Sequence, residues 1–352
     1  MKACLSGRCV MKAVRFHEHG GLEVLRYEDA PEPKIKANEV LVRVKACALN
    51  HLDVWLRAGV RAWKLHMPHI VGSDISGEVA EVGSLVTRAK PGDRVLLHPG
   101  ISCGQCEACF KGLDSACRSH TMFGVMVDGG YAEYVSSPEV NVIPIPGDLT
   151  FDEAAAVPLV FVTAWHMLFT RVGLKPGEDV LVIGAGSGVG SAAIQVAKLV
   201  GARVIATAGT DAKLEKARAL GADEVINHRQ QSIAEEVSRL TNKRGVDIVF
   251  EHVGAAVWDA CFDSLATYGR LVTCGVTSGA EVKLNLQVLY GRQRAIYGSF
   301  MGGKGELMEA LKFIAQRKLK AVIDSVFPLQ DAAAAQKKME DRDFFGKILL
   351  HP

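Results

Sequence analysis

The second half of the chain alternates short apolar runs with amphipathic runs, and this alternation restricts the fold more than any other feature of the sequence. DVLVIG at residues 179–184 predicts a strand, SAAIQVAKLVG predicts a helix that ends at Gly201, and RVIATAG predicts the next strand. The pattern continues through DAKLEKARALG, EVIN, IAEEVSRL and VDIVFEHVG to GRLVTCG. Strands and helices that alternate at this spacing form a doubly wound parallel sheet. We therefore predict an α/β domain over residues 179–299.

Residues 14–146 have a different pattern. Short runs such as VLVRVKA, EVAEVG and RVLLHP are separated by turn residues, which predicts an antiparallel β domain with few helices. Beyond residue 301 a helical pattern over residues 306–316 precedes the strand-like GKILLHP. The tripeptide MKA at positions 1–3 recurs at positions 11–13, which indicates either that the first ten residues are an extension or that the start is misplaced, so we exclude them from the fold prediction.

The composition is that of a soluble globular protein, with 49% hydrophobic and 23% charged residues. A formal charge of +2 is too small to indicate a nucleic-acid or membrane surface, so small molecules are the expected partners. The longest apolar stretch, residues 154–169, is interrupted by Pro158, Thr163 and His166 and is shorter than the roughly 20 residues of a membrane span. It predicts a buried helix. With no signal peptide in evidence, we expect a cytoplasmic protein.

Four cysteines lie close together in CGQCEACFKGLDSAC: Cys103, Cys106, Cys109 and Cys117. Four thiolates satisfy the tetrahedral preference of zinc and leave no position for water or substrate, so such an ion is structural. The alternatives are two disulfides or thiols without a ligand. Disulfides at this density are typical of small secreted chains, and the total of nine cysteines is odd. We predict one structural Zn²⁺.

A glycine-rich turn follows the strand DVLVI and opens a helix; its glycines are Gly184, Gly186, Gly188 and Gly190. Backbone N–H groups and the positive end of the helix dipole can face a pyrophosphate there. The strict G-x-G-x-x-G fingerprint is not met in the register that ends at Gly190, because Ala185 and Ser187 occupy its first two glycine positions. A tight strand-to-helix turn is the alternative, but the surrounding alternation favours a dinucleotide site.

The end of the next strand indicates which dinucleotide is bound. NAD sites usually have Asp or Glu there, which binds the ribose 2′-hydroxyl. This strand ends ATAG, the first carboxylate is Asp211, Lys213 follows it, and His228 and Arg229 end the third strand. These bases would attract a 2′-phosphate, so we favour NADPH over NADH. The alternative is that Lys213 is only a solvated helix charge.

The order of these motifs resembles the medium-chain dehydrogenase/reductase superfamily, and specifically its quinone-oxidoreductase-like branch. The resemblance covers nearly the whole chain from residue 11, through CALNHLD, VGSDISGEVAEVG, PGDRV, the four cysteines, GGYAEYV, AAAVPLVFVTAW, GAGSGVGSAAIQVAK, VTCGVTSG and GKILL. It implies a GroES-like, β-rich catalytic domain at residues 11–150, completed by residues 301–352, and a Rossmann domain at residues 151–300. It also implies a cofactor cleft between the domains and a homodimer or homotetramer. We expect the dimer to form through the edge of the Rossmann sheet.

The resemblance further implies a set of cofactor-binding residues. The residues expected to line the cleft are Thr163, Gly188, Val189 and Gly190, and those expected to surround the adenosine phosphate are Gly209, Lys213 and His228. The residues expected to approach the nicotinamide ribose and ring are Cys274, Val276, Phe300 and Met301. Lys347 is expected to close the far side.

The chain departs from the zinc alcohol dehydrogenases of this superfamily at two of their three catalytic-zinc ligands. The first, a cysteine, is kept as Cys47, but the second motif reads GSD with Ser73 in place of histidine, and Leu159 aligns with the third ligand. A serine hydroxyl is a poor zinc ligand and leucine is none. We therefore predict no catalytic zinc and a buried apolar environment for Cys47.

Without a Lewis acid, hydride addition to an isolated carbonyl is difficult. A conjugated C=C is easier to reduce, because its β-carbon accepts hydride and hydrogen-bond donors can stabilise the enolate. The first hypothesis is therefore NADPH-dependent reduction of an enone, quinone or unsaturated thioester, in which the protein mainly orients the reactants. Asn50, His51 and Asp53 are the candidate catalytic residues. His51 has an equally good structural interpretation, as a hydrogen-bonded histidine.

Three alternatives remain open. The first is an enoyl-CoA reductase of the acrylyl or crotonyl type, because VFEHVG and VTCG also resemble that group. The second is a zinc-dependent alcohol dehydrogenase with an irregular site formed by Cys47, His51 and Asp74. The third is an NADPH-binding sensor or structural protein with little catalysis.

Overall fold

The computed structural model describes residues 4, 5, 8–59 and 64–352 and divides the chain into two compact units. The first unit contains Met1–Leu159, Gly303–Ala315 and Ala321–Pro352, and the second contains Val160–Gly302 and Gln316–Lys320. Positions 1–3, which carry the first copy of the MKA repeat, lie outside the described residues. The domain boundaries predicted from the sequence, at residues 150 and 300, stay a prediction.

The first 159 residues are rich in strands. The strands are β1 (Cys4–Leu5), β2 (Arg8–Arg15), β3 (Arg26–Pro31), β4 (Glu39–Ala48), β5 (Asp74–Val82), β6 (Arg94–Leu97), β7 (Gly100–Ile101), β8 (Thr121–Met122), β9 (Tyr134–Pro138) and β10 (Val142–Pro144). The helices that begin in this part of the chain are α1 (His51–Ala58), α2 (Glu107–Phe110), α3 (Phe151–Ala155) and α4 (Pro158–Trp165).

Strands and helices then alternate up to residue 298. The elements are β11 (Asp179–Val182), α5 (Gly188–Leu199), β12 (Arg203–Ala208), α6 (Asp211–Ala219), β13 (Glu224–Asn227), α7 (Ile233–Leu240), β14 (Val246–Glu251), α8 (Trp258–Asp263), β15 (Leu265–Thr273), α9 (Leu286–Gly291) and β16 (Ala295–Gly298). The chain ends with α10 (Lys304–Ala315), β17 (Ile323–Pro328), α11 (Ala332–Glu340) and β18 (Lys347–His351).

Short 3₁₀ and π turns connect several of these elements. The 3₁₀ turns are Leu22–Val24, Asp114–Ala116, Glu139–Asn141, Ala255–Val257 and Leu329–Asp331, and a π turn, His166–Arg171, continues α4. The apolar stretch 154–169, predicted as one buried helix, is therefore three pieces: the end of α3, the whole of α4 and part of the π turn. The break precedes Pro158, which lacks the N–H that a continuous helix would need and instead begins α4.

The first unit is built on a sheet of seven strands in the order β10-β6-β5-β4-β18-β17, with β9 also paired to β4. The pairs are antiparallel except β17 with β18. Strand β4 is central, and its Ala48 lies opposite Asp74 of β5 on one side and Leu349 of β18 on the other. This register brings three distant parts of the chain together at the end of β4.

The second unit contains a six-stranded, fully parallel sheet in the order β13-β12-β11-β14-β15-β16. Its central strands are buried on both faces, as Leu181, Ile205 and Val249 show, each with no exposed surface. Helices α5, α6 and α7 begin after Ser187, Thr210 and Ser232, whose hydroxyls accept backbone N–H groups of the first turn. The predicted doubly wound parallel sheet is confirmed.

Across the part of the chain that the structure describes, no helix combines the length and apolar character needed to cross a membrane.

Candidate functional site

The four clustered cysteines form one group of free thiols in the first unit. Their sulfur atoms all lie within 4.8 Å of one another, and the Cys103–Cys117 and Cys106–Cys109 pairs are each separated by 3.5 Å. A tetrahedral zinc with Zn–S bonds of about 2.3 Å requires sulfur–sulfur separations of about 3.8 Å. Small adjustments of the thiols would therefore let these residues hold one zinc ion. Among the described residues this is the one cluster of His, Cys, Asp and Glu side chains close enough to bind a metal.

An acidic residue fastens this cysteine lobe, residues 103–117, to the beginning of α10. Asp114 accepts hydrogen bonds from the Ser102 hydroxyl at 2.6 Å and from the Lys304 backbone N–H at 2.9 Å. The Lys304 ammonium also donates to Asp114, at 3.2 Å, and to Ser102, at 2.9 Å. The lobe is thus attached by side chains as well as by the strands that flank it.

The predicted phosphate-binding turn connects β11 to α5. The Ser187 hydroxyl accepts the Gly190 N–H at 2.9 Å and caps α5. A Cβ atom on Gly190 would lie 2.3 Å from the Gly184 carbonyl oxygen, and Gly184 itself has a φ of +68°. Both positions therefore require glycine, which keeps the turn tight and leaves the first N–H groups of α5 available to an anion.

Two residues that the sequence analysis did not select support this turn. Thr207 of β12 accepts the Gly184 N–H through its hydroxyl at 3.2 Å and the Ala185 N–H through its carbonyl at 2.8 Å. The imidazole of His252 lies beside Gly184, with Nε2 2.8 Å from the Ile183 carbonyl and 3.2 Å from the Ser187 hydroxyl. Burial lowers the pKa of His252, so a neutral ring occupies this position.

Two bases meet at the end of β12, where the adenosine phosphate is expected. A Cβ on Gly209 would lie 3.0 Å from Nε of Arg229 and 3.1 Å from Nε2 of His228. The carboxylate of Asp211 accepts a hydrogen bond from the Asn227 amide at 2.8 Å. Arg229 was named among the bases at the end of the third strand but was not included in the predicted set of cofactor-binding residues. Lys213 is in the first turn of α6, capped by Thr210.

The residues expected near the nicotinamide follow β15 and β16. Buried Glu251, the last residue of β14, accepts the Thr273 hydroxyl at 2.7 Å and the Gly254 N–H at 2.6 Å, which ties the end of β14 to the end of β15. Burial raises the pKa of Cys274 to about 12, so its thiol is neutral. In this region Val276 and Phe300 are exposed, whereas Met301 is buried with a φ of +50°.

Three polar side chains form a closed, buried group in the first unit. Lys347 donates from Nζ to Asn50 Oδ1 at 2.7 Å and to Asp74 Oδ2 at 2.8 Å. The Asn50 amide in turn donates to the same Asp74 oxygen at 3.0 Å, and the other Asp74 oxygen accepts the Leu159 N–H at 2.8 Å. Lys347 was predicted to close the far side of the cofactor; the structure places its ammonium in this group.

Asp53 lies next to this group, and no cation among the described residues is bonded to it. One of its oxygens accepts the Asn50 N–H at 2.9 Å and the Tyr131 hydroxyl at 3.2 Å, while Oδ1 is buried without a hydrogen-bond partner among the described residues. Burial raises the pKa of Asp53 to about 6. The third candidate catalytic residue, His51, is partly exposed and packs edge-on against Trp55, with the ring centroids 5.2 Å apart.

The positions that hold catalytic zinc in related enzymes have other contacts here. The Ser73 hydroxyl is fully buried and donates to the Phe123 carbonyl at 2.7 Å. The sulfur of Cys47 is buried, 2.7 Å from where a Cβ on Gly72 would lie, and burial raises the pKa of this thiol well above its usual range. Leu159 contributes its backbone N–H to Asp74. The three side chains therefore form no evident ligand set.

Thr163 of α4, with 8% of its surface exposed, completes the predicted positions. Within the second unit the structure brings Gly188, Val189 and Gly190 to one helix start and His228 to Gly209. Within the first unit it brings Asn50, Asp53 and Lys347 together. Their roles in binding and catalysis stay predictions.

Comparison with known proteins identifies both halves of the chain. A family model for the alcohol dehydrogenase GroES-like domain matches residues 36–147, and one for zinc-binding dehydrogenases matches residues 188–316. The alcohol dehydrogenase of Geobacillus stearothermophilus is 35% identical over 330 residues, which are 93% of this chain and 96% of that protein. The quinone oxidoreductase of Homo sapiens is 30% identical over 353 residues, covering 98% and 99% of the two chains.

A crystal structure of an NAD-dependent alcohol dehydrogenase is 47% identical, with a TM-score of 0.94 over 97% of this chain and 100% of that one. These similarities confirm the GroES-like and Rossmann folds predicted from the sequence and identify an oxidoreductase acting on small molecules. The chain belongs to the medium-chain dehydrogenase/reductase superfamily.

Proposed function

We propose that the protein reduces an activated C=C bond or a quinone with NADPH and uses no catalytic metal. The environment of Ser73 carries the argument: its hydroxyl is buried and already donates to a carbonyl, at the position where a zinc-binding histidine would be needed. Leu159 offers no ligand atom at the third position. A substrate that accepts hydride at a conjugated carbon avoids the need for a Lewis acid.

The choice of NADPH rests on the end of β12. His228 and Arg229 lie against Gly209, and the first carboxylate after β12 in sequence, Asp211, accepts a hydrogen bond from the Asn227 amide. A guanidinium is suited to bind a phosphate with two hydrogen bonds, whereas a ribose hydroxyl offers it little. The turn at Ser187 and Gly190 would hold the pyrophosphate on the N-terminus of α5.

When bound, NADPH would supply the hydride for the β-carbon of the substrate, and a proton from water would complete the reduction at the enolate that hydride addition leaves. Asn50 has an amide N–H that can donate to the substrate oxygen as negative charge develops on it. Neutral Cys274 and the apolar side chains of Val276 and Met301 would surround the nicotinamide without adding charge. The four cysteines of the lobe would hold one zinc ion whose role is structural, because its coordination is complete.

A second candidate is alcohol oxidation with NAD, which is favoured by the names of two of the similar proteins. A third is reduction of an enoyl-CoA thioester. The test is to follow cofactor oxidation with an enone, a quinone and crotonyl-CoA, and cofactor reduction with primary and secondary alcohols. We expect turnover of an enone or quinone with NADPH; turnover confined to alcohols would contradict the proposal, and crotonyl-CoA as the best substrate would favour the third candidate.

The cofactor preference has its own test. Arg229→Ala should weaken NADPH binding about 10- to 100-fold and leave NADH binding nearly unchanged, because a charge-assisted hydrogen bond contributes about 1.5–3 kcal/mol. Arg239→Ala is a matched control, since Arg239 is an exposed arginine of the same unit paired with Glu236. Equal losses for both cofactors would argue against a 2′-phosphate site. Affinities can be measured from the nicotinamide fluorescence on titration.

Metal content separates the metal-free mechanism from the zinc alcohol dehydrogenase. We expect one zinc per chain in the purified protein, none in Cys109→Ser and one in Cys47→Ala. Two zinc ions in the wild-type chain, with one lost in Cys47→Ala, would show a catalytic metal.

A further inference from the structure

The side chains of Asn50, Asp74 and Lys347 form a hydrogen-bonded group that is complete without a ligand. Each of the three side chains is hydrogen-bonded to the other two, at 2.7, 2.8 and 3.0 Å. Asp74 is fully buried, and the side chains of Lys347 and Asn50 have only a few per cent of their surface exposed. A lysine this deeply buried is rarely found without a carboxylate partner.

The sheet register fixes where the three side chains meet. Asn50 follows the last residues of β4, Asp74 begins β5 opposite Ala48, and Lys347 begins β18, which pairs with β4 at Ala48 and Cys47. Asp74 is also held from outside the group, because its second oxygen accepts the Leu159 N–H. The carboxylate and the ammonium are therefore fixed before any substrate arrives.

This arrangement determines the orientation of the Asn50 carboxamide. Its oxygen accepts from the Lys347 ammonium and one amide hydrogen is donated to Asp74. A flip of the amide would place its NH₂ group against the ammonium and its oxygen against the carboxylate, and both contacts would be repulsive. Among the residues that the structure describes, the second amide hydrogen has only a long contact, 3.5 Å to the Ala48 carbonyl, and is the one that remains for a ligand.

We propose that Asp74 and Lys347 are positioning residues that lock the Asn50 carboxamide, so that its second N–H is directed to the substrate oxygen. The inference rests on the proposed function for the statement that Asn50 meets the substrate. It assigns Lys347 an indirect part in the reaction, through Asn50, in place of the direct contact with the cofactor that the family resemblance implies.

The test uses the full-length, zinc-loaded chain with NADPH and an enone. Lys347→Met alone would leave Asp74 as an unpaired buried charge, so the main variant is Asp74→Asn/Lys347→Met, which removes both charges. Lys347→Arg keeps the cation but changes its geometry. Lys338→Met is the matched control, because Lys338 pairs with Asp324 at 2.7 Å elsewhere in the same unit.

We expect the double variant to bind NADPH within twofold of the wild type, while kcat falls about 10- to 100-fold, as for other groups that position a catalytic hydrogen bond. Lys347→Arg should recover part of kcat, and Lys338→Met should behave as wild type. The side-chain amide signal of Asn50 in ¹⁵N NMR spectra, assigned with Asn50→Ala, should be single and sharp in the wild type and shifted or broadened in the double variant.

Three results would overturn the proposal: an unchanged kcat in the double variant, an unchanged Asn50 amide signal, or a loss of NADPH affinity of tenfold or more with that signal unchanged. The last result would mean that Lys347 contacts the cofactor directly. If the double variant does not fold, Lys347→Arg decides by the same three measurements. If the wild type reduces no enone or quinone, the proposed function fails, and the Asn50 amide signal still tests the positioning.

Discussion

Two buried carboxylates of the first unit, Asp53 and Asp74, show how strongly the surroundings of one residue determine its chemistry. Asp74 has the Lys347 ammonium at 2.8 Å, so this buried carboxylate has a cationic partner. Asp53 receives hydrogen bonds from a backbone N–H and a phenol but has a buried oxygen without a partner, and its pKa is raised to about 6. The two carboxylates therefore differ in that the Lys347 ammonium is bonded to Asp74, whereas the described partners of Asp53 are uncharged.

The raised pKa of Asp53 predicts how stability depends on pH. In the unfolded chain the pKa is about 3.9, so between about pH 4 and 6 the folded state binds more protons than the unfolded state. The contribution of Asp53 to the free energy of unfolding should therefore fall as pH rises through this window and change no further above it. Asp53→Asn cannot ionise, so relative to this variant the wild type should lose up to about 2–3 kcal/mol between pH 4 and 7.

Urea unfolding of both proteins at pH 4, 5, 6 and 7, in buffer with zinc, measures this difference. Asp343→Asn, which removes an exposed carboxylate of the same unit, is the control and should track the wild type. A constant difference between the wild type and Asp53→Asn across the four pH values would mean that Asp53 ionises normally in the folded protein.

At the scale of elements, the connection between β11 and α5 depends on a close approach between the backbone at Gly190 and the carbonyl of Gly184. The capping bond from Gly190 to Ser187, the positive φ of Gly184 and the contact of Gly190 with the Gly184 carbonyl all belong to one turn. His252 and Thr207 hold this turn from the neighbouring strands. The turn is therefore shaped by three strands, although its glycines all lie within seven consecutive residues, 184–190.

Gly190→Ala should disrupt this turn, because the added methyl group would lie 2.3 Å from the Gly184 carbonyl oxygen. We expect NADPH affinity to fall at least about tenfold, since displacement of the backbone removes N–H groups from the phosphate. Gly291→Ala is the control, because a Cβ there meets no atom within 4 Å. Equal affinity in Gly190→Ala and the wild type, by fluorescence titration, would place the pyrophosphate elsewhere.

At the scale of the whole molecule, the parallel sheet ends at β16. Within the described residues this strand pairs only with β15, so its other edge has no strand partner. We expect two chains to pair through these edges. Light scattering should give twice the 37.8 kDa of one chain, with no change on tenfold dilution at micromolar concentration; the mass of one chain at all concentrations would contradict this.

The sequence by itself determined the features that are written in local patterns. Alternating strands and helices specified the parallel sheet, the spacing of four cysteines specified the thiol cluster, and closely spaced glycines specified the tight turn. The order of these motifs was enough to indicate the superfamily. Such features are readable because the residues that create them lie within one or two elements of each other.

Only the tertiary structure decided which distant side chains meet. Asn50 and Lys347 are 297 residues apart in sequence, and Arg229 reaches Gly209 from the end of a different strand. Their contacts depend on which strands are neighbours and in what register, as with β5 and β18 on either side of Ala48. Long-range strand pairing is selected by the energy of the whole packed core, and a local pattern carries little information about it.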